Sequence, residues 1–245
     1  MKPRTGFFDF TGCEGCQLTV LNLEDELLEL TELVEIAEFR EVASGAGGEL
    51  DLAFVEGSIC SPQEEDRLRA IRARSRVLVA LGACADTAGV NALSYADDLS
   101  ALDAGVYGPG EPPRAAGYPR PLSAVVPVDH RIPGCPIDGR EFLGVLQALV
   151  VGRIPELPPH PVCVECKLAE LPCTFERGLL CLGPITRAGC RALCVEGGDR
   201  CRGCRGLVDN PREEPYFRIL EEHGLTEEAI LAELGVLHLS RRGGR

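Results

Sequence analysis

No stretch of this chain stays apolar for the roughly 20 residues that a membrane span requires; the longest apolar runs lie around Phe54 and from Phe142 to Val151. A secretory signal is missing too, because Lys2 and Arg4 are followed by Asp9 and Glu14 where an apolar core would stand. Positive charge is in short supply. Lys and Arg total 25 against 38 Asp and Glu, a net charge of -13. That balance argues against a nucleic-acid partner, since affinity for phosphate comes mostly from Lys and Arg. Side-chain amides are scarce, with three Asn and three Gln, and two Lys stand beside twenty-three Arg. A thermophile and a GC-rich genome would each give that skew. Together these absences predict a cytoplasmic protein, in a reducing compartment where cysteines hold metal more often than they pair.

Cysteine is what the chain has in excess. There are 13 in 245 residues, an odd count that disulfides alone cannot absorb. The length allows one full domain with its own core and a smaller appendage. Residues 1–155 read as alternating strands and helices: strands at Arg4–Phe10, Leu33–Phe39, Leu50–Val55, Arg76–Leu81 and Ala124–Val128. Val20, Leu23, Leu27 and Leu30 recur at helical spacing and predict one amphipathic helix. Ser61-Pro62-Gln63-Glu64 carries a capping serine, a first-turn proline and a glutamate three residues after the cap, and predicts a helix to about Arg74. Asp138 with Glu141 repeats the capping pattern before a helix to about Val151, and residues 99–121, rich in Gly and Pro, read as a loop. The order predicts an α/β fold, a doubly wound parallel sheet of flavodoxin-like type.

Residues 152–161, with four prolines, form a linker into a second, cysteine-rich domain over 156–245. Eight cysteines fall between Cys163 and Cys204 with little hydrophobic periodicity, so this segment is organised by what they bind. Residues 161–212 hold eight basic side chains against six acidic ones, surroundings suited to anionic thiolate clusters as well as to a plain solvated surface. Tyr216, Ile219 and Leu220, then Ile230, Leu231 and Leu234 after Thr226, predict two closing helices.

In open parallel sheets ligands gather beyond the carboxyl ends of the strands. Cys13 and Cys16 follow the first predicted strand, Cys84 follows the one ending at Leu81, and Cys135 follows the one ending at Val128. All four can face one crevice, where four thiolates suit a 4Fe-4S cluster and also suit zinc. The second set is Cys163, Cys166, Cys173, Cys181, Cys190, Cys194, Cys201 and Cys204, enough for two further four-cysteine sites of either metal. Cys60 is left over, a buried thiol or a neighbour of the first site.

These residues carry a resemblance. Cys13-Glu14-Gly15-Cys16-Gln17, Glu56-Gly57-Ser58, Gly82-Ala83-Cys84-Ala85, Gly134-Cys135-Pro136 and the run from Cys181 through Gly183-Pro184 to Cys190 resemble the small, electron-transfer subunit of nickel-iron hydrogenases. The likeness covers about residues 4–206. It is greatest to the cytoplasmic, cofactor-linked group of sulfhydrogenase delta subunits and viologen-reducing small subunits, and the N-terminal part is also similar to the quinone-reductase 20 kDa subunit. The resemblance implies three 4Fe-4S clusters: a proximal one on Cys13, Cys16, Cys84 and Cys135, a distal one on Cys163, Cys166, Cys173 and Cys181, and a medial one on Cys190, Cys194, Cys201 and Cys204. Interleaved ligation of the last eight stays open.

The same resemblance implies a subunit with no catalytic residue of its own, facing a nickel-iron centre held by a large subunit. Electrons would leave through a flavin and iron-sulfur partner reducing NAD(P), or through a heterodisulfide reductase-type subunit. Glu14 and Glu56 are candidates for a proton route, Arg187 for neutralising cluster charge, and His130 for a ligand or a surface residue. Two other readings stand beside this one: an iron-sulfur subunit of a related non-hydrogenase complex, and a zinc-stabilised interaction module.

Overall fold

A computed structural model of the protein describes residues 2–40, 47–95, 105, 108 and 118–224. Its centre is a five-stranded parallel sheet made of β1 (Arg4–Asp9), β2 (Glu35–Phe39), β3 (Leu50–Glu56), β4 (Ser75–Leu81) and β5 (His130–Ile132), in the order β2-β1-β3-β4-β5. That is the flavodoxin-like doubly wound order. Residues alternate between two cores along each strand. Phe7 and Phe54 face one side and meet Phe39 and Phe142, with ring centroids 4.5 Å (Phe7–Phe39) and 5.3 Å (Phe54–Phe142) apart. Phe8, Ala53 and Val55 face the other side, against Leu68, Ile71, Leu122 and Val126. A sheet buried on both faces explains why its central strands read as continuous apolar runs.

The helices follow from local signals, with one exception. In α3 (Pro62–Ala73) the Ser61 hydroxyl accepts from the Glu64 N–H at 3.3 Å, and the Glu64 carboxylate accepts the Cys60 N–H at 2.7 Å. Asp138 caps α5 (Gly139–Val150) by accepting from the Arg140 and Glu141 N–H groups, each at 3.0 Å. The single amphipathic helix predicted across Val20–Leu30 is instead two, α1 (Gly15–Leu21) and α2 (Asp25–Leu33). Glu24, at φ 48°, lies in a turn that no α-helix can contain, and the turn lets Leu23 pack against the core from between the two helices.

The last strand is also displaced from its predicted place. Residues Leu122–Ala124 form a 3-10 turn and pairing begins only at His130. Pro127 has no N–H to give a ladder. Asp129 then supplies both bonds to β4 at one residue, its N–H donating to the Leu78 carbonyl at 3.0 Å and its carboxylate accepting the Leu78 N–H at 2.8 Å. The apolar residues of the predicted strand are used in packing, with Val126 buried and Val125 and Val128 beside it.

Beyond α5, residues 153–159 form neither helix nor strand. The cysteine-rich segment follows as three short helices, α6 (Val162–Leu168), α7 (Leu193–Glu196) and α8 (Glu213–Glu222). Its core is partly cysteine, with Cys181 and Cys201 buried beside Val162, Ala192 and Val195. Helix α8 covers one side through Tyr216 and Leu220. The predicted loop over 99–121 and the helix after Thr226 fall wholly or mostly outside the described residues. No helix among the described residues is long and apolar enough to cross a membrane.

Candidate metal centres

The loops after β1, β4 and β5 lie together at the carboxyl edge of the sheet. Cys13 sits in the first, Cys16 opens α1, Cys84 lies in α4 (Gly82–Thr87), and Cys135 follows β5 closely. The β1–α1 turn is held from across the sheet: Glu56, at the end of β3, is 3 % exposed and accepts the Cys16 and Gln17 N–H groups at 3.1 and 2.9 Å. It serves the free donors of α1 from a distance, a task that the residue before the helix, Glu14, leaves undone. Burial pushes the Glu56 carboxyl up, and those two hydrogen bonds act against the shift.

Four thiols meet at this edge. Burial pushes the Cys16 thiol up, with further upward pressure from Glu56, Cys135 and Cys84. Cys84 is pushed up to about 12 by burial, then by Cys135 and Cys13. Cys135 rises by burial and by Cys13. Only neighbours repel in this way, so Cys13, Cys16, Cys84 and Cys135 form one set. Cys13 and Cys135 are exposed at its mouth while Cys16 is buried at its back.

A second set forms around α6. Cys163 is pushed up to about 12 by burial and then by Cys181, Cys166 and Cys173. Gly183 packs beside two of these thiols: a Cβ there would stand 3.3 Å from the Cys181 sulfur and 3.4 Å from that of Cys163. The remaining four cysteines are neighbours of one another and of both other sets. Cys204, pushed up to about 11 chiefly by burial, feels Cys190, Cys135 and Cys194. Cys201 feels Cys181 and Cys204, and its N–H donates to the Cys181 sulfur at 3.4 Å.

Among the described residues no three His, Cys, Asp or Glu side chains are gathered into a cage for one ion. The thiols form wider groups of neighbours. Ionised, these buried thiolates would repel one another, and a bound cation would offset that repulsion; protonated they are poor ligands. The Cys16 thiol lies close against the backbone of the β4–α4 turn. Gly82 has φ +83°, and a Cβ there would collide with the Cys16 thiol. Gln17, 1 % exposed beside Cys16, has no hydrogen-bond partner for either side-chain amide atom among the described residues. A polynuclear iron-sulfur group, with one thiolate to each iron, fits these donors.

Other sequence-predicted residues lie elsewhere. Arg187 donates to the Pro158 carbonyl at 3.0 Å and pairs with Asp209, so it ties the linker to the cysteine-rich segment. His130 begins β5 and lines a cleft with Asp86, Arg131 and Asp209. Cys60 is buried with its sulfur 3.6 Å from the Ser58 hydroxyl. Two residues were not singled out from sequence. Arg205 is buried and bonded to three acceptors, and Glu165, between Cys163 and Cys166, accepts the Gly189 and Ala192 N–H groups at 2.8 and 3.2 Å.

Residues 13–149 match the family described as NADH ubiquinone oxidoreductase, 20 Kd subunit. The chain is 39 % identical over 233 residues to sulfhydrogenase 2 subunit delta of Pyrococcus furiosus, covering 94 % of this chain and 97 % of that one. It is 33 % identical over 239 residues to a vhu chain of the F420-non-reducing hydrogenase of Methanococcus voltae, with 85 % and 83 % covered. Among solved structures, a chain of an NAD+-reducing NiFe-hydrogenase in the H2-reduced state superposes with a TM-score of 0.58 at 31 % identity, covering 64 % of this chain and 96 % of that one.

Proposed function

The chain belongs to the NADH ubiquinone oxidoreductase 20 Kd subunit family, as one of its nickel-iron hydrogenase small subunits, and from that membership we propose that it relays electrons through three 4Fe-4S clusters. The observation that carries the reading is the grouping of its thiols. Cys84 lies among Cys13, Cys16 and Cys135, and Cys163 among Cys166, Cys173 and Cys181, which supports one cluster on each set. Cys190, Cys194, Cys201 and Cys204 stand between them. When bound, such clusters accept and release single electrons at potentials set by local charge, hydrogen bonds and burial. The chain's own residues hold the thiols in place and keep water from the buried members of each set.

The exposed Cys13 and Cys135 mark the face that would meet a large subunit carrying nickel and iron, with residues 1–155 as the domain that presents it. The cysteine-rich domain, 156–245, would pass electrons outward to a flavin and iron-sulfur partner or a heterodisulfide reductase-type partner. Glu14 and Glu56 line the first set, and we assign Glu56 first to holding the Cys16 turn, because both of its oxygens are engaged there.

Iron analysis tests the assignment. Anaerobically reconstituted protein should carry about twelve irons with matching sulfide, four to each cubane. Cys84→Ala, Cys173→Ala and Cys194→Ala should each remove about one third of that iron and the electron paramagnetic resonance signal of one centre. Zinc in place of iron, or one substitution emptying all three sets, would overturn it.

A further inference from the structure

Arg205 lies where the first and third thiol sets come together. It follows Cys204 directly, and its side chain is 1 % exposed. Its guanidinium has three partners on three segments. Nε donates to the Ala188 carbonyl at 2.8 Å, Nη1 to the Pro133 carbonyl at 2.7 Å, and Nη2 to the Glu141 carboxylate at 2.6 Å. Pro133 stands two residues before Cys135, and Ala188 two residues before Cys190. One planar fork therefore holds the loop of Cys135, the loop of Cys190 and the turn of Cys204 against helix α5.

The neighbourhood is built around this fork. Gly189 has φ +119°, and a Cβ there would run into Arg205 Nη2 and stand 2.7 Å from Glu141 Oε1. Glu141 occupies the position where a capping box would turn its carboxylate back to the Asp138 N–H, yet it reaches forward to Arg205.

We propose that Arg205, held by Glu141, is a positioning residue that fixes the gap between the first and third clusters and thereby the electron step between them. The proposal rests on the three-cluster reading given above. Electron tunnelling weakens steeply with separation, so a relay needs that gap held rigid while partners dock at either end. A lysine cannot replace the fork, because an ammonium lacks the planar set of donors that reaches three acceptors at fixed angles.

The test uses the reconstituted full chain as wild type, Arg205→Lys, Arg205→Met and Glu141→Gln. Iron and sulfide are assayed first, and then the paramagnetic resonance of the dithionite-reduced protein, where spin coupling between neighbouring clusters reports their separation. The wild type should show coupled signals. Arg205→Met should keep its full iron content and lose the coupling between the first and third clusters; Arg205→Lys should not restore it, and Glu141→Gln should weaken it. Freeze-quenched reduction should show electrons delayed at the first cluster in the same variants. Coupling and timing unchanged in Arg205→Met at full iron content would overturn the proposal, as would loss of iron from all three sets, which marks a plain folding role. A wild type without iron would sink the cluster reading itself, a failure separate from this one.

Discussion

At the residue scale, burial makes the thiols of the metal-free protein costly to ionise, which a pH titration exposes. Cys84 and Cys163 are pushed up to about 12 and Cys204 to about 11, in each case first by burial. A thiol in the unfolded chain ionises at about pH 8.5. Between those limits the unfolded chain has lost protons that the folded chain keeps, so stability falls as pH rises through the window; below it both states are protonated and the thiols contribute nothing. Denaturant midpoints of the metal-free protein should fall steadily above about pH 8.5, while the metal-loaded protein, whose thiolates are already ionised, should hold its midpoint there. Glu56→Gln separates one source of the shift. Removing that negative charge makes Cys16 easier to ionise, so alkylation of Cys16 should begin at a lower pH than in the parent. An unchanged Cys16 profile would mean that Glu56 does not govern it.

At the scale of elements, the cysteine-rich segment depends on α8 as a cover. Tyr216 is 2 % exposed and its hydroxyl donates to the Cys181 carbonyl at 2.8 Å, joining the helix to the second thiol set. Tyr216→Phe keeps the ring and removes one buried hydrogen bond, a cost of about 1 kcal/mol. Hydrogen exchange should then quicken around Cys181 and stay unchanged in the sheet; equal quickening in both would show that the two parts open together. The elements also show how far sequence reasoning reaches. Strands β1, β3 and β4 were legible because central parallel strands are apolar on both faces, and α3 because Ser61, Pro62 and Glu64 spell out its start. The Ala124–Val128 strand misled for a physical reason: apolar, β-branched residues suit a core packed from a turn as well as from a strand, and the Pro127 break with the Asp129 side-chain bond acts after local propensity has spoken.

At the scale of the whole molecule, the four cysteines of the first set could be read from strand order, since the ends of parallel strands share an edge wherever the chain crosses over. The two residues that fasten the cysteine-rich segment could not. Glu165, inside the Cys163-x-x-Cys166 run, and Arg205, just after Cys204, look like ordinary charged residues, and their partners Gly189 and Pro133 stand 24 and 72 residues away. Such long-range bonds leave no periodicity to find. The bond from Glu165 has its own result for the life of the molecule. That carboxylate rises from α6, between Cys163 and Cys166, and accepts the Gly189 and Ala192 N–H groups on either side of Cys190, so the frame of the second thiol set helps to hold the third. Glu165→Ala should therefore loosen both sets at once, and iron analysis should show a loss shared between them while the first set keeps its share; a loss confined to one set would show that the two are held independently.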